Sequence, residues 1–374
     1  MMDRRHFIKT TGGLSLTAGS GLLNTCSRLY AFDTSANLSR KEARYYKKHP
    51  DREIECLLCP RFCKLGDRER GYCGVRENID GTYYTFVYGK ACAVHLDPIE
   101  KKPFFHFLPQ SRTLSLATAG CNVNCKFCQN WEISQVRPEQ VEHQDFPPHQ
   151  VVLTAQKYDS PIIAYTYTEP IVFFEYMIDT SIEAQKAGLR NVVVTGGHIN
   201  PEPLQDLLPA VDAIKIDLKA FSELFYTEYV RGKLQPVLDA IKIIAQSSVW
   251  LEIVYLVIPS LNDSPEEIRQ MSRWLKQTAG KDVPLHFSRF YPMYLLKNLP
   301  PTPTSTLERC HRIAREEGLH YVYIGNIPGH KAENTYCPQC QKLLIQRTGY
   351  SIGEKNLEEG RCKYCGQPIP GIWK

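Results

Sequence analysis

Apolar and polar positions settle into a regular rhythm only from about residue 112. Short apolar runs predict strands at 113–117, 162–167, 191–195, 213–217, 251–258, 285–290 and 321–324. Between them apolar residues recur at helical spacing, as at 173–187, 236–245, 265–277 and 305–317. Strands alternating with helices imply βαβ units and a parallel sheet. Most of these strands run out into polar, charged or Gly-containing sequence: Gly120-Cys121, Thr168-Glu169, Thr195-Gly196-Gly197 and Asp217-Leu218-Lys219. A parallel barrel carries its chemistry at the C-terminal strand ends. An open doubly wound sheet does the same, so the pattern alone does not separate the two.

The flanks do not share this rhythm. Residues 32–50 are polar and basic and read as a linker or loose helix, and residues 83–88 form a short β-like run within a Cys-rich segment spanning 53–106. Beyond about residue 330 the strand–helix alternation stops, and 333–374 form a Cys-containing tail. At the other end, residues 1–31 have the order of an export signal: Asp3-Arg4-Arg5-His6-Phe7-Ile8-Lys9, then an apolar stretch from Gly12 to Leu23. That order is twin-arginine-like, and the stretch is too short for the ~20 apolar residues of a membrane span. If the leader is used, the protein is expected in the periplasm; if not, in the cytoplasm. Export after folding suits a protein that must first acquire a cofactor.

Bulk properties narrow the class. A chain of 374 residues with 43% hydrophobic content is ordinary for a globular protein, and a net charge of +5 gives no reason to invoke nucleic acid or an anionic membrane. Its fourteen cysteines change the picture. They fall into three sets: Cys56, Cys59, Cys63 and Cys73; Cys121, Cys125 and Cys128; and Cys337, Cys340, Cys362 and Cys365. Only Cys26, Cys92 and Cys310 stand outside them. A chain this long is no secreted disulfide scaffold, so the clustering argues for metal thiolates.

The middle set, Cys121-Asn122-Val123-Asn124-Cys125-Lys126-Phe127-Cys128, follows the first strand of the βα series. Three thiolates leave one iron of a [4Fe–4S] cubane without a protein ligand, whereas four would favour plain electron transfer. S-adenosylmethionine (SAM) can chelate that open iron through its amino and carboxylate groups.

These residues resemble the radical SAM superfamily, and more narrowly the branch of pyruvate formate-lyase activating enzymes and the radical SAM enzyme of the AmmeMemoRadiSam system. The likeness spans about residues 53–374. It rests on Leu58-Cys59-Pro60-Arg61-Phe62-Cys63, Gly74-Val75-Arg76, Asp97-Pro98-Ile99-Glu100-Lys101-Lys102-Pro103, the 121–129 loop, and stretches at 166–170, 216–219, 258–264, 286–292 and 325–340.

The resemblance implies a partial (β/α)6 barrel over 107–330 and a reductive cleavage of SAM to methionine and a 5′-deoxyadenosyl radical, which takes a hydrogen atom from a substrate. It implies an electron donor, a protein or small-molecule substrate, and Memo-like and Ammecr-like partners. It also implies SAM contacts. Glu169 in Thr168-Glu169-Pro170, where the superfamily usually has Gly-Gly-Glu, would accept from the SAM ammonium. Thr195 and Gly196 would face the amino acid or ribose, Asp217 and Lys219 match an Asp-x-Lys pair, and Val257-Ile258-Pro259 would wall the adenine. Tyr291-Pro292-Met293 departs from the usual pattern after Phe290. Independently of the resemblance, Asp217 and Lys219 at i, i+2 could form a structural ion pair, and Glu169 could cap the helix after it.

The last set is two C-x2-C knuckles separated by a strand-like run at 343–347, a layout that resembles a zinc ribbon; iron–sulfur or paired disulfides are the alternatives. The ribbon is expected to be a separable docking module. The first set could hold zinc or a second cluster. The rival to an enzyme is a non-catalytic metal-binding adaptor, which would show no SAM cleavage.

Overall fold

The computed structural model describes residues 38–374, all within the unit that spans 34–374. The twin-arginine-like leader lies outside the described residues. An eight-stranded sheet organises the fold: β1 (Ala93–Pro98), β2 (Arg112–Ala117), β3 (Ile162–Tyr165), β4 (Arg190–Thr195), β5 (Ala213–Asp217), β6 (Trp250–Val257), β7 (Leu285–Arg289) and β8 (Val322–Gly325). The strands lie side by side in chain order. β2 to β8 are all parallel, and β1 pairs with β2 antiparallel at the edge. A doubly wound sheet must reverse strand order at a switch point, and this one does not. With right-handed crossovers, an unreversed order brings the connecting helices to one face.

Those helices are α1 (Pro148–Lys157), α2 (Phe174–Lys186), α3 (Pro201–Leu207), α4 (Leu234–Ala245), α5 (Pro265–Ala279) and α6 (Thr304–Glu316). Each follows one of β2 to β7, giving six βα units and a closing seventh parallel strand. The strands are buried along most of their length, β3 at every position, as expected of parallel strands covered on both faces. α5 shows why a helix starts where it does: the Ser264 hydroxyl accepts from Glu267 N at 3.2 Å, Pro265 occupies the first turn, and Glu266 and Glu267 complement the helix dipole.

The Cys-rich N-terminal segment is built from small antiparallel pairs, including Ile54–Cys56 with Lys64–Leu65 and Arg76–Ile79 with Thr82–Thr85. A buried ion pair fixes it to α2. Arg76 meets Glu175, in the first turn of α2, through two nitrogens at 3.0 and 2.5 Å, and donates from Nε to Val172 O at 3.1 Å.

The tail departs from the expected separable module. Its strands Thr335–Tyr336, Leu343–Thr348 and Ser351–Lys355 form an antiparallel sheet. Leu344, Ile345, Cys337 and Ile369 share a core cluster with Phe105, Tyr321 and Tyr323. Arg347 is 2% exposed; it donates to Phe105 O at 2.8 Å and Thr335 Oγ1 at 2.7 Å. Near the end of the chain, Leu108 N donates to Ile372 O at 2.7 Å and Ile372 N to His106 O at 2.8 Å. The tail and the 105–108 loop thus cover the N-terminal ends of the later strands, away from the cysteine loop. Covering that apolar surface is what binds the tail to the sheet, so the two are not independent. Among the described residues, no helix is long and apolar enough to cross a membrane.

Candidate cluster and cofactor site

The loop after β2 carries Cys121, Cys125 and Cys128. It begins at Gly120, whose φ of +95° suits glycine, and where a Cβ would come within 2.5 Å of Val75 Cγ1 and 2.7 Å of Cys73 O. The loop is pinned on several sides. Asn124 N donates to Val230 O at 3.0 Å and Lys126 N to Tyr229 O at 2.8 Å, both on a π-helical turn at Tyr226–Val230. Arg61 Nε donates to Asn122 O at 2.9 Å, and the Asn122 amide donates to His198 O at 2.7 Å. Single π-helical turns often mark functional sites. This one escaped the sequence reading because a π turn has no period to detect.

Burial pushes the Cys121 thiol well above its ordinary range and the Cys125 thiol up to about 12; Cys121 also feels Glu169, Cys125 and Cys128, and Cys125 feels Lys219, Cys128, Asp217 and Glu169. Thiols raised in this way stay protonated until a metal displaces the proton, so metal binding at Cys121 and Cys125 would be coupled to proton release. Cys128 Sγ lies 3.2 Å from Ser134 Oγ.

Glu169, Thr195 and Gly196 come together as expected. Glu169 Oε1 accepts from Thr195 Oγ1 at 2.5 Å and from Ile171 N at 3.2 Å, and Oε2 accepts from Gly196 N at 2.9 Å. The bond to Ile171 N is the helix cap, so capping and site roles coincide. Burial raises the Glu169 carboxyl despite these donors. Just before it, Tyr167 has φ of +66°, costly for a bulky side chain. Asn130 Nδ2 holds Tyr167 O at 2.7 Å, and the Tyr167 hydroxyl donates to Asp97, which Lys102 also meets at 2.6 Å. The 97–103 motif thus acts by bracing the turn that aims Glu169.

Asp217 and Lys219 are paired at 2.9 Å, and a third residue, Lys215, reaches Asp217 Oδ1 at 2.5 Å. Lys219 also lies near enough to Cys125 for each to shift the other's titration. Burial pushes the Asp217 carboxyl up, but Lys215 and Lys219 outweigh it and hold it well below the carboxylate range. Lys215 was missed by sequence, although its i, i+2, i+4 spacing with Asp217 and Lys219 was a visible signal. Val257 and Ile258 are wholly buried, so they offer no surface to adenine in this structure.

The four cysteines of the tail are close-set. Cys337 and Cys365 sulfurs are 3.6 Å apart, Cys340 and Cys362 3.7 Å, and all four Sγ lie within 4.8 Å of one another. These are far too long for disulfide bonds of about 2.05 Å. They match the edge of a tetrahedron with metal–sulfur bonds of about 2.3 Å. Each knuckle also turns backbone N–H groups onto its first sulfur, from Gln339 and Cys340 to Cys337 and from Tyr364 and Cys365 to Cys362.

A family profile described as the radical SAM superfamily matches residues 115–274. An uncharacterized protein of Methanocaldococcus jannaschii is 45% identical over 331 residues, 88% of this chain and 98% of that protein. Among solved structures, a domain of pyruvate-formate lyase-activating enzyme from Bacteroides vulgatus ATCC 8482 is similar at 16% identity and a TM-score of 0.40, covering 44% of this chain and 98% of that one. A radical SAM methyltransferase from Sphaerobacter thermophilus is similar at 14% identity and a TM-score of 0.46, covering 79% and 80%.

Proposed function

The chain belongs to the radical SAM superfamily, and from that premise we propose that Cys121, Cys125 and Cys128 hold a [4Fe–4S] cluster at which SAM is cleaved reductively. The observation that carries this reading is the C-x3-C-x2-C loop itself, which sets Cys121 and Cys125 beside Glu169 and Cys125 beside the Asp217–Lys219 pair, at the C-terminal ends of β2 to β5. The cofactor chemistry, one electron into SAM and a 5′-deoxyadenosyl radical out, belongs to the cluster and SAM.

The chain's own residues bind and orient. Glu169, with three donors already in place, keeps its carboxylate fixed as an acceptor for the SAM ammonium. Gly196 leaves room for the ligand, since the nearest atom to a Cβ there is Glu169 Oε2 at 3.3 Å. Asp217 and Lys219, 27% and 19% exposed, reach the same cleft with Lys215 holding them from within.

Anaerobic reconstitution tests this reading. Electron paramagnetic resonance of the reduced protein should shift when SAM is added, and Cys128→Ala should abolish the shift. An unchanged SAM response in that variant would falsify the assignment, and a wild-type protein that never cleaves SAM would favour the metal-binding adaptor instead.

The proposal extends to zinc in the Cys337, Cys340, Cys362 and Cys365 site, on the sulfur spacing above. It extends also to a protein substrate of the activating-enzyme kind and to Memo-like and Ammecr-like partners, on the sequence resemblance; co-purification with the cluster-loaded enzyme tests both. Export is proposed on Arg4-Arg5 ahead of the short apolar stretch, and a protein carrying Arg4→Lys and Arg5→Lys should stay in the cytoplasm.

A further inference from the structure

We propose that Cys56, Cys59, Cys63 and Cys73 bind a second [4Fe–4S] cluster, ligated wholly by protein, that passes electrons to the cluster on the Cys121 loop. The four thiols line one small cavity together with Gly71 and Tyr83. They are all free. The space is kept open by glycine. A Cβ on Gly71 would lie 2.6 Å from Tyr83 Oη and 3.9 Å from Cys73 Sγ.

Size separates this site from the one in the tail. Among the described residues, the Cys337 set is a group of sulfurs drawn within 4.8 Å of one another, and the Cys56 set does not contract to that dimension. A single zinc pulls four sulfurs to about 3.8 Å, given its bond length of about 2.3 Å. A cubane gives each thiolate its own iron at its own corner and so holds the sulfurs further apart. Charge agrees: the buried Arg76 guanidinium lines the same cavity.

Position supplies the role. Cys73 O packs against Gly120, the residue before Cys121, and Asn122 forms part of the cavity wall. One residue layer therefore separates the two cysteine sets. On the outer side, Phe62 and Tyr72 are each 47% exposed next to Cys63 and Cys73, a surface for a docking electron carrier. The step is a one-electron relay. A low-potential carrier of the ferredoxin or flavodoxin class loses one electron, the Cys56-set cluster takes it and hands it on, and no proton or covalent bond changes until SAM is split at the cluster on the Cys121 loop.

This inference rests on the reading of the Cys121 loop, and the test keeps the two apart. Reconstituted wild-type protein should hold about eight irons per chain, and the Cys121→Ala/Cys125→Ala/Cys128→Ala variant about four, with a reduced-cluster signal indifferent to SAM. Replacing Cys56, Cys59, Cys63 and Cys73 with Ser should remove about four irons, keep the SAM-responsive signal, and slow reduction by flavodoxin at least tenfold while dithionite still works. If that protein does not fold, Cys63→Ser alone should alter only the SAM-indifferent signal. Zinc in place of iron in the triple variant, or no metal beyond that of the tail, would overturn the second cluster. Wild-type protein with both clusters but no SAM response would overturn the reading of the Cys121 loop instead.

Discussion

Lys215 holds Asp217 from inside the sheet, with Nζ 2.5 Å from Oδ1, and only 5% of the lysine side chain is exposed. Asp217 therefore serves two masters: it keeps a buried ammonium satisfied and places Lys219 beside Cys125. Asp217→Ala should cost about 3 kcal/mol of stability, because it strands Lys215 without a counter-charge. Lys215→Met on the same background should recover much of that loss. Denaturant melts of the four proteins measure the coupling, and independent, additive effects would refute it.

Glu169 makes three hydrogen bonds to the chain before any ligand arrives. Glu169→Gln should weaken SAM binding by about tenfold or more, the worth of a hydrogen bond to a charged group, while leaving the iron content unchanged. Equilibrium dialysis with SAM checks the first part and iron analysis the second. Loss of the cluster in this variant would make Glu169 a folding residue.

His106 is buried, with Nε2 2.6 Å from the Tyr323 hydroxyl and Nδ1 2.7 Å from Pro370 O. Burial lowers its pKa to about 4, although Glu252 nearby works the other way. The unfolded chain, with an ordinary imidazole near 6.5, binds the proton first as pH falls. The folded state then loses stability between about pH 6.5 and pH 4, and the contribution is whole above that window. His106→Gln cannot titrate. The stability gap between wild type and this variant should shrink as pH drops from 7 to 4.5, and a gap that stays constant would show that the proton is not excluded.

Arg347 joins the four-cysteine tail to the 105–108 loop. Arg347→Ala leaves Phe105 O without its donor and takes one of two partners from Thr335 Oγ1, and should cost about 2–3 kcal/mol. Hydrogen exchange should speed up in residues 333–374 and in the 105–108 loop together. Chelation of the tail metal should give the same joint pattern, and exchange confined to the tail would restore the separable module.

Sequence alone determined the elements and the grouping of the cysteines. The seven parallel strands follow from short apolar runs between helical patterns, and the three cysteine sets follow from spacings that suit thiolate–metal geometry. It also paired Asp217 with Lys219 and set Glu169 at a helix start, because those relationships span a few residues along one backbone.

What lies far apart in the chain was decided by the tertiary structure. The antiparallel edge strand β1, the π-helical dock for the cysteine loop, the brace from Asp97 to Tyr167 and the burial of Arg347 against Phe105 each join residues tens to hundreds of positions apart. No local pattern encodes such a contact, since a buried Arg or a strained Tyr looks in sequence like any exposed one. The same holds for the cysteines: spacing marks them as ligands, but whether four sulfurs close to the size of one ion or open to that of a cluster depends on the packing around them.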